Sequence, residues 1–78
     1  MNYEEIMSLT DLDIEKIVKI SPGSAKELLL KIHEPMNEYL DEADRQGKNI
    51  SDTYLSGKFA NLKEKSATLM YYLKKYYS

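Results

Sequence analysis

The sequence predicts one all-α domain spanning residues 1–78, a small three-helix bundle dominated by a long antiparallel helical hairpin. Three observations carry this expectation. Two segments repeat apolar residues at steps of four and three, the 3.5-residue period of knobs-into-holes helix packing. Helix-capping sequences stand ahead of each predicted helix. Ser21-Pro22-Gly23 and Gly47 break the chain between them.

The first predicted helix covers residues 11–20. Thr10-Asp11-Leu12-Asp13 has the form of a capping box, and Ile14, Ile17 and Val18 recur at helical spacing. Lys16 to Ile20 also carries β-branched strand character, which makes this the least defined element. Ahead of it, Asn2 to Met7 reads as one frayed turn.

The second helix covers residues 24–46. Ser24-Ala25-Lys26-Glu27 is read as its capping box. Its inward positions are Ala25, Leu29, Ile32, Met36, Tyr39 and Ala43. Leu28 and Leu40 flank that seam and need cover from the first helix. Pro35 lacks the N–H that would bond back to Lys31, so the helix is expected to continue through Pro35 with a kink. Gly47 then stops it, since glycine accepts the left-handed conformation.

The third helix covers residues 51–77, with Ser51 as its cap and Asp52 at its positive end. Leu55, Phe59, Leu62, Ser66, Leu69, Leu73 and Tyr76 form its seam. The short link from Gly47 to Ile50 makes the two long helices antiparallel. Ser66 is polar on that seam. Its hydroxyl is expected to bond back to the Leu62 carbonyl; the alternative is that Ser66 and Ala67 leave room for a partner's side chain.

Composition excludes whole classes of function. The 78 residues contain no cysteine, so neither a disulfide framework nor a thiolate zinc site is available. The chain is too short for a dinucleotide-binding or barrel enzyme. No apolar run approaches the ~20 residues of a spanning helix, and the acidic start does not resemble a signal peptide. The expectation is an intracellular, cytoplasmic protein with no membrane partner. Abundant Lys, Tyr, Ile and Asn beside scarce Arg suggest an AT-rich coding sequence, hence a bacterium or the host cell of a phage.

Charge is segregated along the chain. Residues 21–46 hold six acids against three bases, a net of -3, while residues 47–78 hold six lysines against two acids, a net of +4. The whole chain carries -2, which argues against a protein that coats nucleic acid. An acidic middle and a basic end suit two elements that lie together, or one chain's end meeting another chain's middle.

Two surfaces are candidates for binding. Glu34, Glu38 and Asp41 stand at steps of four and three on an outward stripe, with Glu42 beside them. They read as a solvated acidic face or as one that meets a basic partner surface, in the manner of a nucleic acid's phosphates. A dimetal site would need inward carboxylates and a Glu-x-x-His pair, which is missing. The second surface is the tyrosine-rich end, with Tyr71 pointing outward and Tyr72 and Tyr77 flanking the seam. Such rings can close the bundle's end, make a protein interface, or stack the bases of a single strand with lysines on the phosphates.

Catalysis has little to use. His33 is the one histidine, read as a surface residue near the kink, and no second group pairs with it. The sequence therefore points to a non-enzymatic protein-binding module without cofactor or metal. Its expected role is that of a small regulatory or inhibitory protein, of inhibitor, antitoxin or immunity type, acting on a larger protein partner. The alternatives are a self-assembling structural hairpin, which would be a homodimer, and a single-strand nucleic-acid binder using the Tyr/Lys-rich end.

Overall fold

The computed structural model describes residues 1–78. It contains four α-helices and one 3-10 turn, and no strand. Helix α1 spans Tyr3–Met7, α2 Asp11–Ile20, α3 Pro22–Arg45 and α4 Ser56–Tyr77, with the 3-10 turn at Ile50–Asp52. The long α3–α4 hairpin and the shorter helix packed across it are the expected bundle. At 1.5 Å per residue, the 24 residues of α3 are about 36 Å long, which sets the 40 Å length of the molecule.

The helix starts follow local hydrogen-bond chemistry. At α2, the Thr10 hydroxyl accepts from Asp13 N–H at 3.1 Å, and the Asp13 carboxylate accepts from Thr10 N–H at 3.0 Å. This is the predicted capping box. The turn expected at Asn2 to Met7 is a true short helix, because Asn2 and Glu5 cap it reciprocally in the same way. The predicted start of the second helix needs correction. Ser21, not Ser24, is the N-cap, and its Oγ accepts from Ser24 N–H at 3.0 Å. Pro22 then occupies the first helical position, where its fixed φ and missing N–H cost nothing. The single extended residue Ser21 thus separates α2 from α3.

Helix α3 continues through Pro35 without interruption. Its end is as predicted: Gly47 has φ +66°, and the amide of Lys48 returns to the Ala43 carbonyl at 3.0 Å. The last helix begins later than predicted. Ser51 falls inside the 3-10 turn, α4 starts after Leu55 without a side-chain cap, and the buried Thr53 ties the turn to that start. Its hydroxyl donates to the Ile50 carbonyl at 2.8 Å and accepts from Leu55 N–H at 3.2 Å.

One apolar cluster holds the helices together: Ile6, Ile14, Val18, Ala25, Leu28, Ile32, Leu62 and Leu69. On α4 the expected seam is present, with Leu55, Leu62 and Leu69 buried and Phe59, Leu73 and Tyr76 half-buried. On α3 the buried face is rotated from the expected seam. Leu28 and Pro35 are buried, while Leu29, Met36 and Tyr39 are half-buried. The reason is that α3 packs against both α2 and α4, so it buries a wider arc than a two-helix seam. Leu28 receives the cover it needed, whereas Leu40 keeps 39% of its surface exposed.

Candidate binding surfaces

The tyrosine-rich end is largely engaged in holding α4 to α2. The Tyr76 hydroxyl donates to Glu15 Oε2 at 2.5 Å, and the Tyr77 hydroxyl donates to the Val18 carbonyl at 2.6 Å. Tyr72 stacks on Tyr76 with ring centroids 6.4 Å apart, and Tyr71 meets Tyr72 edge-on at 5.1 Å. Lys19 and Lys75 lie over the Tyr76 ring at 5.1 and 5.3 Å, and Lys75 also reaches Tyr72. The hydrogen bond from Tyr76 holds the Glu15 carboxyl below its ordinary value, although its partial burial acts the other way. Burial raises the Tyr72 hydroxyl above its ordinary value, and the nearby Glu15 adds to this. Of the three tyrosines expected to bind a partner, only Tyr71 presents most of its surface without such a bond.

The acids of α3 are arranged differently. Glu34, Glu38 and Asp41 are exposed, and none belongs to an ion pair. Glu42 is the exception among the predicted four. Arg45 grips it with Nε at 2.9 Å and Nη2 at 2.6 Å, and Gln46 adds a third bond. Those bonds lower its carboxyl pKa. The predicted meeting of acidic and basic segments is incomplete. Helices α3 and α4 pack together, yet the three ion pairs lie within α3 or between α4 and α2.

Folding adds residues that the sequence reading did not include. Capped α1 packs on α4, and its start and the middle of α3 border a groove of about 330 Å³. Glu4, Glu34 and Glu38 line it with the rings of Tyr3 and Tyr39. Lys58 stands at its edge, held over the Tyr3 ring at 5.1 Å, while Asn61 donates to the Tyr3 hydroxyl at 2.9 Å. Burial raises the Tyr39 hydroxyl above its ordinary value, with Glu4 the next cause. The Asn2-x-x-Glu5 spacing was the available signal for α1, and hence for the position of Tyr3 and Glu4.

His33 and Ser66 also differ from expectation. Ser66 does not bond back to Leu62. Its Oγ lies 3.4 Å from His33 Nε2, a long polar contact between the middles of α3 and α4. His33 is accordingly half-buried rather than a plain surface residue. No group of three or more His, Asp or Glu side chains converges as metal ligands would. No helix is long and apolar enough to cross a membrane.

These features define a small all-α helical bundle with an acidic, tyrosine-lined groove between α1 and α3 and a second one lined by Asp11, Glu64, Tyr71 and Tyr72. Against protein-family models, curated proteins and solved structures, the chain shows no match.

Proposed function

We propose that this chain is a non-enzymatic binding module, a small cytoplasmic regulator or inhibitor of a larger protein, in a bacterium or in the host cell of a phage. It docks through the acidic side of α3 on a basic surface of that partner. One observation carries the reading: Glu34 and Glu38 form no ion pair and share a groove with Glu4, Tyr3 and Tyr39, where Lys58 is the single base among three acids. Carboxylates beside aromatic rings suit an arginine or lysine side chain, which can pair with the acid and lie on the ring. The internal contacts of Tyr72 and Tyr76 weigh against the nucleic-acid reading, because lysines already cover those two rings, on which a base would stack.

The test is a titration against the partner recovered from the source cell. Converting Glu34, Glu38 and Asp41 to lysine should weaken binding at least ~10-fold, chiefly through slower association. Wild-type affinity should fall as salt rises. Unchanged affinity in the folded triple variant would remove the acidic side of α3 from consideration.

A further inference from the structure

Lys58 sits where its own helix disfavours it. It belongs to the first turn of α4, which holds no acid and has no side-chain cap. A cation there meets the positive end of the helix dipole. The ammonium turns onto the face of Tyr3, 5.1 Å from the ring centroid, in the groove that Glu4, Glu34 and Glu38 line. Yet Lys58 is exposed and enters no ion pair with any of those acids. A ring face with carboxylates nearby is what attracts a cation to that place. The groove thus already holds one cation, and holds it loosely.

We infer, on the reading that the acidic side of α3 meets the partner, that the groove receives one arginine side chain and that Lys58 is a built-in competitor which this guanidinium displaces from Tyr3. The receiving ring does not depend on the lysine. Asn61, one turn further along α4, donates to the Tyr3 hydroxyl at 2.9 Å. The reciprocal Asn2–Glu5 cap fixes the start of α1, and the fully buried Ile6 anchors that helix in the core. When Lys58 leaves, the Tyr3 face remains in position beside the carboxylates.

Guanidinium chemistry fits this groove better than ammonium chemistry. A guanidinium is planar, so it can lie on a tyrosine face and still aim its N–H edge at a carboxylate. An ammonium is a strongly hydrated point charge, and Lys58 reaches the ring without closing on an acid. Glu34 and Glu38 stand one turn apart on α3, where like charges repel, and a cation between them relieves that repulsion. The volume of about 330 Å³ is at the small end for a ligand pocket and suits one long side chain. Self-occupation also sets a threshold. Apparent affinity is reduced by the fraction of time the ring is free, so a cation that gains little from the ring leaves Lys58 in place.

A nuclear magnetic resonance titration with the peptide acetyl-Gly-Arg-Gly-amide tests this without the natural partner. In the free chain the ε-methylene protons of Lys58 should be shielded by the Tyr3 ring. Saturating peptide should return them to the ordinary lysine position and shift the signals of Tyr3, Glu34 and Glu38. Lys58→Ala should bind the peptide at least ~3-fold tighter, the effect of freeing a ring that the lysine covers about two-thirds of the time. Lys63→Ala removes the same charge from α4 outside the groove and should tighten binding by less than ~1.5-fold. Both positions are exposed, so circular dichroism should show unchanged helicity. Equal effects of the two variants would overturn the competitor role, as would Lys58 protons that stay shielded at saturation. Equal affinity for acetyl-Gly-Lys-Gly-amide would overturn the choice of arginine. No shift at the groove up to about 50 mM peptide would overturn the whole inference. The docking reading fails separately, through unchanged partner affinity in the Glu34, Glu38 and Asp41 triple variant.

Discussion

The C-terminal tyrosines and the acids of α3 are equally conspicuous in the sequence, and the fold treats them in opposite ways. Tyr76 and Tyr77 give their hydroxyls to Glu15 and to the Val18 carbonyl, and lysines cover the Tyr72 and Tyr76 rings. Glu34, Glu38 and Asp41 enter no ion pair. Residue type alone did not separate the two regions. What separates them is whether internal partners have already taken up the bonding capacity of each group. The engaged region belongs to stability, and the unengaged one is free to recognise something else.

The most severe way to break the comparison is to remove the scaffold beneath both regions. Leu69 is fully buried between the helices. Leu69→Asp would place an unpaired carboxylate there and should cost at least ~3 kcal/mol, most of the stability of a small domain. A circular-dichroism melt checks this, and an unchanged midpoint would mean that the core is misassigned.

A gentler change isolates the engaged end. Tyr77→Phe deletes one hydroxyl and leaves the Val18 carbonyl at the end of α2 without that partner, for an expected loss of about 1 kcal/mol in urea unfolding. Lowering pH should act on the same end through Glu15. Its carboxyl is held below the ordinary value of 4.5 in the folded chain. A depressed folded pKa contributes stability that is fully present above the unfolded value and is lost as pH falls through the folded one. Unfolding free energy should therefore drop as pH goes below about 4.5, and Glu15→Gln should flatten part of that drop. Asp13, held low by the Thr10 amide and hydroxyl, adds to the same acid-side loss, so the flattening is partial. The smallest effect belongs to Tyr71. It lies in the tyrosine cluster yet remains mostly exposed, so Tyr71→Ala should change stability by no more than ~0.5 kcal/mol.

The contrast also explains how far the sequence could be read. The α4 seam was legible because a single amphipathic stripe dominates that helix from Leu55 to Tyr76. The α3 face was read one position off at Leu29 and Met36, because a heptad assumes one neighbour and α3 has two. Helix ends were legible where one capping residue stood alone, as at Thr10 and Gly47. They were misread where two serines competed, Ser21 against Ser24, and at α4, which starts after Leu55 with no side-chain cap. Asp41, Glu38 and Glu34 could be placed on one stripe from spacing alone. The pairing of Glu42 with Arg45 follows from their three-residue separation. No local pattern could bring Glu4 and Tyr3 beside Glu34 and Glu38, or bond Tyr76 to Glu15, since those contacts form only when α1 and α2 pack across the hairpin.

The distinction between engaged and free groups is tested most directly by one quantity, the urea-unfolding free energy of two variants measured side by side. Tyr76→Phe with Tyr77→Phe should lose stability, because two internal hydrogen bonds disappear. Glu34→Lys with Glu38→Lys and Asp41→Lys should stay within ~0.5 kcal/mol of the wild-type chain, although its charge changes far more. A stable tyrosine variant beside a strongly destabilised charge variant would contradict the account, because the acids of α3 would then be holding the fold and the tyrosines would be free.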